Sequence, residues 1–219
     1  MQIDISFAKP IGPYDNLLNR IPCKYCHVEL SFHTTAELFR QMLVSTIDQS
    51  YNPQMIQELI NRLRHQKGKI IVCFFINWGE TLSCRYLSDM IDDPYFRPPE
   101  QPVYDTLSIE CDLDKINKIT SFYLLQLGKP YDYMRAILTL APVTLRSTPD
   151  KPDKYFCSQV VMYSLREIGI ECEDDINHMK PLDVYRFVKK HCINTDEKHT
   201  NGSSESSSES STNDDNKII

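Results

Sequence analysis

Five segments of the chain carry the pattern of apolar positions that is typical of β-strands. They are residues 3–7, 24–32, 69–77, 81–87 and 106–111. The run over 69–77 is continuously apolar, as in a buried strand, whereas residues 24–32 alternate. In the alternating segment the apolar face is Cys26, Val28, Leu30 and Phe32, and the polar face is Tyr25, His27, Glu29 and Ser31. We expect the apolar face to pack on a core and the polar face to line a cleft or meet solvent.

Apolar residues at helical spacing predict helices between and after these strands. The predicted segments are residues 34–65, interrupted at 52–53, then 112–127, 157–168 and 181–191. Asp112 or Asp114 is expected to cap the 112–127 helix, and Gly128 and Gly169 stand where two of the helices should end. The chain is therefore expected to combine a sheet with several helices.

The last residues of the sequence differ in kind from the rest. Residues 196–219 are rich in Ser, Asn, Asp and Glu and contain no aromatic side chain. Such a segment buries too little apolar surface to offset its chain entropy, so we expect a disordered acidic tail. Residues 1–195 are expected to form one domain, because hydrophobic residues make up 41% of the chain, enough for a core.

Charge and hydropathy argue against a nucleic-acid-binding protein and against a transmembrane protein. The formal net charge is -6 at pH 7, which does not favour binding to nucleic acid. No run of about 20 apolar residues occurs, so no transmembrane helix is expected. The N-terminus has no basic start followed by a long apolar run, which indicates an intracellular protein whose eight cysteines are reduced.

Residues 154–161, KYFCSQVV, place a cysteine at the predicted first turn of an amphipathic helix. Backbone N–H groups at the start of a helix point toward such a side chain, and the helix dipole favours negative charge there. Both effects lower the pKa of a thiol and increase its thiolate fraction. Cys157 is therefore a candidate nucleophile; the alternative is a buried cysteine with a structural role.

A thiol nucleophile needs a base, and His27 is the best placed of the six histidines. It is centred in a predicted strand on the polar face, whereas the others lie past a strand, among basic residues, in a loop or in the tail. An imidazole beside the thiol would take its proton and later donate a proton to the leaving group. The alternative is a polar strand residue with no chemical role.

Cys23, Cys26 and His27 also form a C-x-x-C-H pattern, which attaches haem covalently in exported proteins. No export signal accompanies it, and no second C-x-x-C or H-x-x-H pair completes a zinc site. We therefore expect neither a cofactor nor a bound metal, and a haem or zinc protein stays only as an alternative.

Five short motifs occur in the order found in one protein family. They are IDISF at 3–7 with DNLL at 15–18, YCHVEL at 25–30, GKPYDY at 128–133, FCSQ at 156–159 and PLDVY at 181–185. With them the chain resembles the circularly permuted NlpC-type papain-like proteins, which include the bacterial YiiX group, relatives of lecithin:retinol acyltransferase and proteins of large DNA viruses and phages. In that family the histidine precedes the cysteine, as His27 precedes Cys157 here.

The resemblance implies an α+β fold in which an antiparallel sheet or barrel packs on helices, with residues 34–66 as a helical insertion after the histidine strand. It implies a cysteine-dependent hydrolase or acyltransferase that acts on an amide or ester in a peptide, an isopeptide, a peptidoglycan cross-peptide or a lipid. Cys157 would attack the carbonyl carbon, His27 would move the proton, and the Cys157 N–H would be one oxyanion donor.

A polar side chain orients the histidine ring in this family. Glu29 is the first candidate for that role because it shares the predicted face of His27, although it points parallel to the histidine. Asn77 and Glu80, near the predicted turn after the 69–77 strand, are the alternatives.

Tyr131, Tyr155 and Gln159 are expected to contact substrate, and ordinary aromatic packing is the alternative for the two tyrosines. Gln159 departs from the family motif, which often has Glu there, and Lys180 replaces the usual Ser before the proline.

A second interpretation is an inactive relative that keeps the fold as an interaction module, with the helices of 34–66 or the tail contacting a protein partner. The resemblance to viral members indicates a viral protein, in the host cytoplasm or the virion.

Overall fold

The structure, a computed structural model, describes residues 1–9, 24–88, 104–139 and 152–200, with side chains to residue 192. Within these residues the strands are β1 (Gln2–Ala8), β2 (His27–Thr35), β3 (Lys69–Phe75), β4 (Ser83–Ser88) and β5 (Tyr104–Glu110). The helices are α1 (Ala36–Thr46), α2 (Pro53–Leu63), α3 (Leu113–Gln126), α4 (Tyr133–Leu138), α5 (Cys157–Glu167) and α6 (Pro181–Thr200), with short 3₁₀ helices at Ile47–Gln49 and Ile176–His178. The predicted mixture of a sheet and helices, an α+β architecture, is confirmed.

The five strands form one antiparallel sheet in the order β4-β3-β2-β1-β5. At its centre Leu30 of β2 pairs with Ile5 on one side and with Phe74 on the other. Val28, Leu30 and Phe32 are at most 1% exposed and belong to the core, as their alternation predicts. Because successive side chains point to opposite faces of a strand, His27 and Glu29 lie on the other face of the sheet.

Tyr25 is an exception to the predicted assignment of faces. β2 begins at His27, so the alternation of a regular strand does not extend back to Tyr25. The Tyr25 ring is buried and packs on Phe7 and Tyr185, with ring centroids 5.4 and 4.9 Å away. Its hydroxyl donates a hydrogen bond to Asp105. The expectation that Tyr25 faces a cleft is therefore wrong, because this residue precedes the strand.

Helices cover the apolar face of the sheet. Phe74 of β3 stacks in parallel on Tyr123 of α3, with ring centroids 4.4 Å apart. The buried residues of α1 and α2 recur at the helical spacing that the sequence predicts: Ala36, Phe39 and Leu43 in α1, and Ile56, Leu59 and Leu63 in α2. Helix α5 packs against both β2 and α3, which brings its first residue to the central strand.

The C-terminal helix is longer than the sequence pattern predicts. Helix α6 runs from Pro181 to Thr200, beyond the expected end at His191 and into the start of the expected tail. The rest of that tail, residues 201–219, lies outside the described residues, as do Cys23 and the 15–18 motif.

Replacing Gly128 with alanine is expected to destabilise the protein more than replacing Gly169. Both glycines follow a helix with positive φ, 88° and 82°, where an L side chain costs about 1–2 kcal/mol. Only at Gly128 would the added Cβ meet a neighbour, the Cβ of Asn52 at 2.8 Å. Asn52 caps α2 by accepting the Met55 N–H, so its displacement should cost about 1 kcal/mol more. Urea titration of both variants measures the difference, and equal free energies of unfolding would contradict the close approach.

Candidate active site

Cys157 is the first residue of α5, and its thiol lies against the central strand. The helix has no side-chain cap at Phe156, so its first N–H groups have no partner within the helix. Burial raises the pKa of the Cys157 thiol, and the nearby backbone groups of Val28, Ser158 and Cys157 itself oppose that rise. The expectation that the helix start lowers the pKa of this thiol is therefore wrong, because burial has the larger effect.

The position of Val28 explains how the sulfur reaches a backbone N–H of the sheet. The pairing of β2 with β3 begins at Leu30, so Val28 lies before the paired stretch. Its backbone is near enough to Cys157 to favour the charged form of the thiol, and Val28 directly follows His27 in the chain. The structure thus brings the predicted nucleophile near the residue that follows the predicted base.

The imidazole of His27 is mostly buried, with 18% of the side chain exposed. Burial, and then the positive charge of Arg85, lower the pKa of His27 to about 4, so the ring is uncharged at neutral pH. Its Nε2 atom is buried and makes no hydrogen bond within the described part of the chain. A neutral imidazole with an unpaired nitrogen has the protonation state that a general base requires.

Glu29 lies beside this ring, as predicted for the orienting residue. Its Oε2 atom is 3.9 Å from Nε2 of His27, longer than a hydrogen bond, and 3.3 Å from Nη2 of Arg85. Burial raises the pKa of Glu29, whereas Arg85 and the thiol of Cys73 oppose the rise. The carboxylate is therefore paired with Arg85 first and contacts His27 only at the longer distance.

Asn77 and Glu80, the other candidates for the orienting role, form a hydrogen bond with each other. Asn77 Nδ2 donates to Glu80 Oε2 at 3.0 Å in the turn between β3 and β4. Both side chains belong to an exposed pair, whereas His27 is mostly buried. The geometry therefore favours Glu29 over Asn77 and Glu80.

Two of the predicted substrate contacts lie in the interior. Gln159 is fully buried, and its Nε2 donates to Asn177 Oδ1 at 2.7 Å, which ties α5 to the 3₁₀ helix Ile176–His178. Tyr155 is also buried, and its hydroxyl donates to Gln126 Oε1 at 3.4 Å. Both side chains pack against protein groups, and their contact with substrate stays a prediction.

Tyr131 differs from those two, because it connects the thiol with an exposed aromatic cluster. Burial, and then the charge of a Cys157 thiolate, raise the pKa of the Tyr131 phenol. The rings of Trp78, Tyr131 and Tyr133 contact one another, with centroids 5.0 to 5.4 Å apart. Trp78 is 57% exposed and Tyr133 is 40% exposed. This aromatic cluster therefore runs from the surface to the neighbourhood of the thiol.

Sequence reasoning missed Arg85, Val28 and Trp78. A clue to Arg85 was its place inside a predicted strand, because a charged side chain there needs a partner. Val28 acts through its backbone N–H, for which the sequence has no signal. The single tryptophan stood in a predicted turn, where a large aromatic side chain is exposed unless something covers it.

Two absences hold for the residues that the structure describes. No described helix is long and apolar enough to cross a membrane. Residues 24–88, 104–139 and 152–192 bring together no cluster of three metal-ligating side chains. Cys26 of the C-x-x-C-H pattern points its sulfur at the Ala8 carbonyl oxygen, 3.5 Å away, and Cys23 lies outside the described residues.

Four kinds of chemical group occur in this part of the structure: a thiol, backbone N–H donors, a neutral imidazole and a buried carboxylate paired with Arg85. No hydrogen bond joins the thiol and the imidazole within the described residues. No protein-family model matches this chain, nor does any curated protein or solved structure.

Proposed function

We propose that this protein is a cysteine-dependent hydrolase or acyltransferase of permuted papain-like fold that acts on an amide or ester, with Cys157 as nucleophile and His27 as base. The observation that carries the proposal is the position of Cys157 at the first turn of α5, where the backbone groups of Val28, Ser158 and Cys157 itself favour negative charge on the sulfur. Val28 directly follows His27 in the strand. The His27 ring, with a pKa of about 4, is uncharged at neutral pH.

In the proposed reaction the thiol of Cys157 loses its proton to His27 and its sulfur attacks the substrate carbonyl carbon. Nε2 of His27 faces Glu29, which leaves Nδ1 for the thiol. The mechanism requires contact between Nδ1 of His27 and the Cys157 sulfur in the substrate complex, because catalytic hydrogen bonds often tighten only when substrate binds. The N–H groups that now face the sulfur are suited to the negative charge that develops on the carbonyl oxygen.

The leaving amine or alcohol would take the proton from His27, which leaves the acyl group on Cys157 as a thioester. Water then hydrolyses the thioester in a hydrolase, or a second alcohol or amine accepts the acyl group in an acyltransferase. The aromatic cluster of Trp78, Tyr131 and Tyr133 is the surface next to the thiol that would contact an apolar part of the substrate.

The test is acylation of the full chain by p-nitrophenyl acetate, a generic activated ester. The expected result is release of p-nitrophenol with one acetyl group on Cys157, located by peptide mass spectrometry. Cys157→Ser should reduce this release by about 10³-fold or more. The matched control is Cys111→Ser, because Cys111 and Cys157 are both 5% exposed and both belong to the core.

Acetylation of Cys111 and Cys157 at the same slow rate would overturn the enzyme proposal, because it would show that burial alone determines their reactivity. The interaction-module interpretation would then take its place. Acetylation of Cys157 alone, with Cys111→Ser unaffected, would support the nucleophile assignment.

A further inference from the structure

One oxygen of the Glu29 carboxylate lies between His27 and Arg85. Glu29 Oε2 is 3.9 Å from Nε2 of His27 and 3.3 Å from Nη2 of Arg85, and Nη2 is also 3.4 Å from Glu29 Oε1. His27 and Glu29 belong to β2, whereas Arg85 belongs to β4 and reaches them across β3. The Arg85 guanidinium stacks on the ring of Phe75, whose centroid is 4.7 Å from Cζ. The two contacts fix Arg85 beside His27, the predicted base, and Glu29, the residue predicted to orient it.

Resting on the function proposed above, we propose that Arg85 is a positioning residue of the same site. It holds the Glu29 carboxylate beside His27 and, through its own positive charge, favours the uncharged form of the imidazole. Arg85 touches no reacting atom in this scheme and acts only through its neighbours.

Two charges act on His27, the carboxylate of Glu29 and the guanidinium of Arg85. A carboxylate alone at 3.9 Å would favour the imidazolium, because an anion stabilises a nearby positive charge. An imidazolium cannot accept a proton, so the uncharged fraction of the ring depends on the balance of the two charges. Arg85 opposes this effect, since its charge lowers the pKa of His27 further than burial alone does. The same guanidinium compensates the buried carboxylate, which would otherwise tend to take up a proton.

The other titratable groups near His27 and Glu29 do not provide this positive charge. They are the thiols of Cys26, Cys73 and Cys157 and the phenol of Tyr104. Burial raises the pKa of Cys73 and of Tyr104, so both side chains are uncharged at neutral pH. Among the described residues, Arg85 is therefore the cation that acts on the imidazole.

Titration of the His27 ring protons by NMR in the full chain tests this role without a substrate. The His27 signal is assigned by its loss in His27→Gln. In the wild type the ring should stay uncharged down to about pH 4. In Arg85→Met its pKa should rise above that of the wild type, because the cation that lowers it is gone while burial, the larger cause, remains. Arg85→Lys, which keeps the charge, should leave the titration close to that of the wild type.

An unchanged His27 pKa in Arg85→Met would overturn the proposal. An equal rise in Arg85→Met and Arg85→Lys would also overturn it, since the shape of the side chain and not its charge would then matter. If Arg85→Met does not fold, Glu29→Gln decides: removal of the anion should leave the His27 pKa at or below that of the wild type, and a rise would contradict the scheme. Acetylation of Cys157 reports on the proposed function separately, because the imidazole titrates whether or not the thiol reacts.

Discussion

His27→Gln is expected to slow the acetylation of Cys157 by about 10²- to 10⁴-fold, the usual contribution of a general base. The thiol pKa is raised by burial, so few thiolates form at neutral pH unless a neighbour takes the proton. His27, uncharged above about pH 4, is the group beside Val28 that can do so. Glutamine has a similar size but cannot accept a proton at neutral pH. The rate of p-nitrophenol release, with the acetyl group mapped to Cys157, measures the effect.

The matched control is His33→Gln. His33 lies on the same strand and the same face as His27, but it is exposed. The His33→Gln variant should retain the wild-type rate of Cys157 acetylation. Equal losses in the two variants would show that the effect is not specific to His27, and no loss in His27→Gln would remove the base from the mechanism.

Replacing His27 with glutamine also changes how the free energy of unfolding depends on pH. His27 has a pKa of about 4 in the folded protein and about 6.5 when unfolded, so the unfolded chain takes up the proton first as the pH falls. The wild type should therefore lose stability relative to His27→Gln between about pH 6.5 and pH 4, by up to about 3 kcal/mol, with no difference in slope above that range. Urea denaturation of both proteins at several pH values measures the two curves. A difference that did not vary with pH would contradict the buried, uncharged imidazole.

Local sequence patterns were sufficient to predict the elements that carry Cys157 and His27. The alternation around Val28 identified the strand and its core face, and apolar spacing with Gly169 identified the helix that Cys157 begins. Both predictions rest on interactions within a few residues, which a single sequence records directly. Where the local pattern ended, as at Tyr25 just before β2, the prediction was wrong.

The surroundings of the site depend on contacts between distant segments, which the sequence does not record. Arg85 meets Glu29 only because β4 pairs with β3, and β3 with β2, in one particular order and register. Gln159 was expected to contact substrate. Its side chain is buried because other elements enclose α5, so that every residue from Cys157 to Leu165 is buried. The sequence therefore predicted the position of Gln159 in the helix but not its burial.

Phe74→Ala is expected to lower the free energy of unfolding by about 3–5 kcal/mol, the usual cost of truncating a buried aromatic side chain. Phe74 is fully buried and stacks on Tyr123, so its loss leaves a cavity between β3 and α3. The neighbouring residue provides a matched control, because Phe75 lies on the opposite face of β3 and is only partly buried. Phe75→Ala should lower the free energy of unfolding by about 1 kcal/mol, mainly because the contact between the Phe75 ring and Arg85 is lost.

Urea denaturation of the two alanine variants, followed by circular dichroism, measures this difference directly. A large loss for Phe74 and a small loss for Phe75 would support the assignment of the apolar face of β3 to the core and of the other face to the Arg85 and Glu29 cluster. The converse order would mean that β3 is turned over. In that case Cys73, which shares the face of Phe75, would no longer lie beside Glu29, and the proposed role of Arg85 would fail together with the sheet.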